Sequence, residues 1–93
     1  MLTRIRHWRG RGIHSPFVYT LVRGGIGRAK TTDDVVRLLR TENVFVVERP
    51  YATRQRRDAC LRVAASGERL TIDTRRVFII FDREQQPKQH FRV

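Results

Sequence analysis

The sequence predicts an α/β domain with a three-stranded mixed sheet and about three helices, and three features carry that expectation. Phe17, Val18, Leu21 and Val22, and then Val35, Val36, Leu38 and Leu39, recur at helical spacing. Asn43-Val-Phe-Val-Val-Glu48 and Val77-Phe-Ile-Ile-Phe81 are instead short and almost wholly apolar, the signature of strands covered on both faces. A third helical pattern and an alternating stretch lie between these two runs, so a β-α-β-β unit follows two helices. A sheet that is apolar on both sides needs cover on both sides, which three helices can supply.

Each element has a local reason. Ser15-Pro16 starts the first helix, over 15–23, because a serine oxygen can accept from open amides and proline has no N–H to leave unpaired in the first turn. Gly24-Gly25 ends it, since glycine takes the left-handed conformation of a C-cap at little cost. Residues 24–31 are then a linker. Thr32-Asp33-Asp34 opens the second helix with acids at the positive end of the dipole, and Arg37 and Arg40 point away from its apolar face.

A strand is expected near 43–48 and a third helix over 51–66, closed by Gly67. On that helix Ala59, Cys60, Val63 and Ala64 share a face, Arg54, Asp58 and Arg62 lie opposite, and Arg56 and Arg57 flank the stripe, where their stems must lie along it. Leu70-Thr-Ile-Asp73 alternates, predicting a half-buried strand near 69–73. The run near 76–82 is the central strand, and the short Arg75-Arg76 connection favours an antiparallel pair. Gln85-Gln86-Pro87 breaks the chain before His90-Phe91-Arg92-Val93, which can form a short edge strand.

Ninety-three residues make one small domain, 1–93, with a modest core. The net charge is +11, carried by eighteen arginines and only Lys30 and Lys88. That preference suits planar, bidentate contact with phosphate or carboxylate. Residues 1–32 hold Arg4, Arg6, Arg9, Arg11, Arg23, Arg28 and Lys30 without an acid, so a basic arm, 1–14, precedes the first helix, and 32–93 forms the second helix and the β-α-β-β unit. A single cysteine, Cys60, can make no internal disulfide and reads as a small core thiol. The chain contains neither an apolar run of membrane-spanning length nor a hydrophobic signal core, so a cytoplasmic location is expected. His7, His14 and His90 have no metal-ligand spacing, and His14 reads as a contact at the start of the first helix. Ser15 has no nucleophile-elbow context. Asp73, Asp82 and Glu48 read as polar residues that end strands.

Arg4, Arg6, Arg9 and Arg11, interleaved with Trp8 and followed by Phe17 and Tyr19, have the composition of a surface on which guanidinium groups meet phosphates and rings stack on bases. The same pattern suits an anionic membrane interface, or a solvated basic tail with Trp8 packed on the domain. Arg54, Arg56, Arg57 and Arg62 form a second basic stretch on the third helix. RNA or another polyanion is therefore an expected partner, although the sequence lacks the RNP and GXXG signatures of known RNA-binding modules.

GIHSPFVYTLV, residues 12–22, resembles the N-terminal signature of class I S-adenosylmethionine-dependent methyltransferases of a Bacteroidetes type, which begin with an HGIHSPFVF-like segment. LTIDTRRVFIIFDREQQPKQHFRV, residues 70–93, is similar to that family's C-terminus, a TID strand, an apolar strand and a closing K-x-HF segment. VFVVERPYATRQRRDACLRVAASG, residues 44–67, is similar to its fifth strand and the helix that follows. The resemblance implies a truncated Rossmann-like fragment that keeps the fifth, seventh and sixth strands, with the seventh central and antiparallel. It also implies a loss. The glycine-rich turn after the first strand and the acid after the second, which hold the cofactor in such folds, have no counterpart here, because Gly24-Gly25-Ile26-Gly27 follows a helix. Glu48-Arg49 stands where the family has an acidic pair.

These readings together predict a non-catalytic remnant without a cofactor that binds RNA or another polyanion. Two alternatives stand beside it. In one, strand 43–48, deprived of its usual neighbour, presents an apolar edge to a second copy or a protein partner, unless the N-terminal segment or residues 89–93 cover it. In the other, the chain is a residual methyltransferase working with a partner chain.

Overall fold

The computed structural model describes residues 16–82 and 89–93. The order is α1 (Pro16–Arg23), a 3-10 turn (Ile26–Arg28), α2 (Thr32–Leu39), β1 (Val44–Glu48), α3 (Arg54–Ser66), β2 (Thr71–Asp73), β3 (Val77–Phe81) and β4 (His90–Arg92). The strands form one mixed sheet in the order β1-β3-β2-β4. β3 runs antiparallel to both neighbours, and β4 runs parallel to β2.

The mixed α/β class, the three helices and the central β3 agree with the sequence reading. The strand count differs: the sheet has four strands, because the closing segment pairs with β2 through Thr71↔His90, Ile72↔Phe91 and Asp73↔Arg92. This also places residues 90–92 at the edge opposite β1, so they do not cover the edge of strand 43–48. β2 is shorter than expected, and α3 begins at Arg54 rather than at 51. The difference at α3 has a local cause. Arg49 turns the chain with φ 50°, Ala52 N–H donates to Arg49 O, and Thr53, extended at φ −136°, caps the helix through Arg56 N–H, so Tyr51 belongs to the loop.

Helix boundaries follow the expected chemistry where they are described. Gly24 N–H donates to Thr20 O at 2.9 Å and Gly25 takes φ 99°, closing α1. The linker then contains the 3-10 turn, whose Ile26 is fully buried. α2 opens one residue after its cap. Thr31 accepts from Asp34 N–H at 3.1 Å, and the Asp34 carboxylate accepts from Thr31 N–H at 3.2 Å and Lys30 N–H at 2.9 Å, a reciprocal capping box. Ser15 lies outside the described residues, as do Gln85, Gln86 and Pro87.

The sheet sits between unequal layers. Val77, Ile79 and Phe81 of β3, Ile72 of β2 and Phe91 of β4 meet Val18, Leu21, Ile26 and Val35 on the side of α1 and α2. On the other face Phe78 packs against Cys60 and Ala64 of α3, with Val47 and Ile80 alongside. The side-chain period of two in β3 produces this division. α3 is the thinner cover: its packed stripe contracts to Cys60 and Ala64, and Ala59, expected on that stripe, is exposed.

Candidate functional site: an arginine-rich end of the sheet

Topology gathers one end of the molecule. β1, β2 and β4 all finish there, β3 starts there, and α3 starts there because only a short loop joins it to β1. Arg49 N–H donates to Arg76 O at 3.0 Å, tying the β1 exit to the β2–β3 turn. Val93 N–H donates to Asp73 O at 2.7 Å, tying in the chain end beyond β4. Arg49, Arg54, Arg57, Arg75 and Arg76 are exposed at this end, with Arg56 and Arg92 partly buried. The opposite end is mixed: Arg40 and Arg69 stand with Glu42, Glu68 and Asp82. There Arg69 donates to the Asp82 carbonyl and lies 3.8 Å from its carboxylate.

The acids at the arginine-rich end are already engaged. Glu48 accepts from the Thr32 N–H at the start of α2, at 2.6 Å, and this bond holds its carboxyl below the usual range. Asp58 pairs with Arg57 at 3.3 Å. Asp73, 1% exposed, faces α3 from the end of β2. It accepts from the Tyr51 hydroxyl on one oxygen and from Arg75 N–H, at 2.7 Å, on the other. Arg75 is held in the left-handed region, φ 74°, by the turn that makes this bond.

Asp73 anchors a buried polar seam between the sheet and α3. Burial, and then the hydrogen bond to Asp73, push the Tyr51 hydroxyl up to about 12. Thr71 Oγ1 lies 2.8 Å from His90 Nδ1, and the His90 ring stacks on Phe78 at 5.6 Å. Burial drives the His90 imidazole down to about 4, against the pull of the Asp73 charge. Burial also raises the Cys60 thiol. A neutral imidazole, a protonated phenol and a protonated thiol thus surround one engaged carboxylate, while Cys60 and Ala64 packing on Phe78 join α3 to the sheet. Among the described residues His90 Nε2 and Arg92 Nε are buried there without a partner. Among the described residues no group of three or more His, Cys, Asp or Glu side chains could hold a metal ion.

The expected arginines divide by position. Arg54, Arg56 and Arg57 come together in the first turn of α3, at the arginine-rich end, and Arg62 stands exposed about two turns further along the helix. Arg56 is partly committed: its Nη1 donates to the carbonyls of Glu48, at 3.2 Å, and Arg49, at 3.4 Å. Arg4, Arg6, Trp8, Arg9 and Arg11 lie outside the described residues, as does His14. On α1, Tyr19 is exposed, with the Arg23 guanidinium 5.7 Å from its ring centre, and Phe17 sits edge-on to Phe81 at 5.6 Å. Arg49, Arg75 and Arg76 were not among the expected contacts. The helical pattern that singled out α3 says nothing of turns, and only strand order brings the β2–β3 turn beside α3. No family model, curated protein or solved structure matches the chain.

Proposed function

We propose that the chain is a non-catalytic α/β module that binds RNA or another polyanion at the arginine-rich end of its sheet. The observation that carries this reading is the convergence of exposed Arg49, Arg54, Arg75 and Arg76, whose side chains have no carboxylate partner among the described residues, at an end whose acids are already engaged by other groups. Guanidinium groups without carboxylate partners are open to phosphate. The first turn of α3 supports it. It contains three arginines and no acid, the reverse of what a helix dipole favours, and a bound polyanion relieves that repulsion. The expected N-terminal contacts, Arg4, Arg6, Trp8, Arg9 and Arg11, belong to the same proposal, as does Arg62.

Descent from the methyltransferase family is part of this reading. The order β1-β3-β2 with β3 antiparallel is the one that the resemblance implies for its fifth, seventh and sixth strands. Gly24 and Gly25 close a helix instead of turning from a strand, which supports the loss of the cofactor site. Calorimetry with S-adenosylmethionine tests that part, and saturable heat would restore the enzyme reading.

The direct test is RNA binding by fluorescence anisotropy at stepped salt. Each phosphate contact contributes about 0.7 to the slope of log K against log salt on a single strand. Replacing Arg54, Arg75 and Arg76 together by glutamine is expected to weaken binding and reduce that slope by about 2. Replacing Arg40 and Arg69 is expected to leave it nearly unchanged. Equal losses from the two sets would mean a diffuse field rather than a site, and would overturn the assignment. Neutralising Arg4, Arg6, Arg9 and Arg11 together is likewise expected to flatten the salt dependence.

A further inference from the structure

We infer that the outer edge of β1 is a docking site for an extended, apolar peptide strand that carries an acidic residue beside Arg56. The register fixes which groups are open. Asp82 N–H donates to Asn43 O and Arg49 N–H donates to Arg76 O, so residues 43, 45, 47 and 49 turn their backbone toward β3. Val44, Val46 and Glu48 therefore turn theirs outward. Among the described residues β1 has no strand partner other than β3. The side chains add to the case. Phe45 is 64% exposed on the α3 face, beside partly buried Ile80 and Val47. A strand added to this edge gains main-chain bonds at Val44 and Val46 and can cover Phe45 with one apolar residue.

Charge selects the occupant. Arg56 Nη1 donates to the outward Glu48 carbonyl, so a guanidinium is fixed on the edge itself, and exposed Arg49 follows. The Glu48 carboxylate is turned to Thr32 N–H on the α2 side, where it feels the Arg49 charge, and among the described residues it forms no ion pair with Arg56. Arg40 and Glu42 stand near the other end of the strand. A second copy is a poor occupant. Each chain carries +11, and a five-residue strand edge offers much less than the roughly 1,200 Å² that a stable interface buries. An apolar strand whose α3-facing side chains are a nonpolar residue over Phe45 and an acid beside Arg56 meets the ring and the guanidinium at once.

The test uses the full chain and a short labelled peptide of valines alternating with threonines, with one glutamate in place of the valine beside Arg56, against the same peptide with prolines at its ladder positions. The valine peptide is expected to bind at least about tenfold more tightly, because proline has no N–H for the ladder. Binding is expected to slow amide exchange at Val44 and Val46. Phe45→Ser, at an exposed position, is expected to weaken the peptide by about tenfold and leave RNA affinity unchanged. Equal binding of the two peptides would reduce the contact to charge attraction and overturn the proposal. So would protected Val44 and Val46 amides in the free chain: at monomer mass the chain's own segment fills the edge, and at dimer mass a second copy does.

Discussion

The hydroxyl of Tyr51 donates to the carboxylate of Asp73, joining the loop after β1 to the end of β2 across the intervening β3. The carboxylate is 1% exposed, so a lost donor cannot be replaced from bulk water. Tyr51→Phe is expected to lower stability by about 1–3 kcal/mol, read by urea unfolding. The hydroxyl is pushed up to about 12 from 10, so its contribution is fully present below pH 10 and is lost as pH rises toward 12. Wild type and Tyr51→Phe should therefore converge in alkaline unfolding. A constant gap would disprove the linkage.

His90 gives a second pH dependence, of opposite sense. Its imidazole stands at about 4 in the fold against 6.5 when free, so the unfolded chain takes up the proton first. Stability is full above pH 6.5 and falls as pH drops toward 4, by about 3 kcal/mol over that window. The difference between wild type and His90→Gln across pH 7 to 4 isolates this contribution from the carboxylates. The two curves should diverge at pH 7 and approach each other at pH 4; parallel curves would rule it out.

The start of α2 is held by the Thr31 hydroxyl and by the Asp34 and Glu48 carboxylates. Thr31→Ala removes the acceptor for Asp34 N–H and opens the capping box, with an expected cost of about 1 kcal/mol in chemical unfolding. Thr31→Ser keeps the hydroxyl and should recover most of it.

Its end carries strain. Arg40 is the C-cap at φ 58°, where its N–H donates to Val36 O at 2.7 Å. A residue with a Cβ pays for this conformation and glycine does not, so Arg40→Gly is expected to stabilise the domain by about 1 kcal/mol. A fall in midpoint temperature would show that the Arg40 side chain makes a contribution larger than the strain.

Periodicity and local chemistry in the sequence determined the three helices, the doubly covered β3, its antiparallel pairing through Arg75-Arg76 and the arginine excess. They determined these because each depends on neighbours within a few residues. The tertiary structure alone decided the rest. β4 joins β2 because Phe91 reaches the α1–α2 core and His90 reaches Thr71, contacts too distant in sequence for a local pattern to announce. Ala59 is exposed and Arg56 is bound to the β1 exit because the packing of Cys60 and Ala64 on Phe78, not helical spacing alone, sets which face of α3 is covered. Arg49, Arg75 and Arg76 stand beside α3 because strand order, set by burial over the whole sheet, folds two separate turns onto one end.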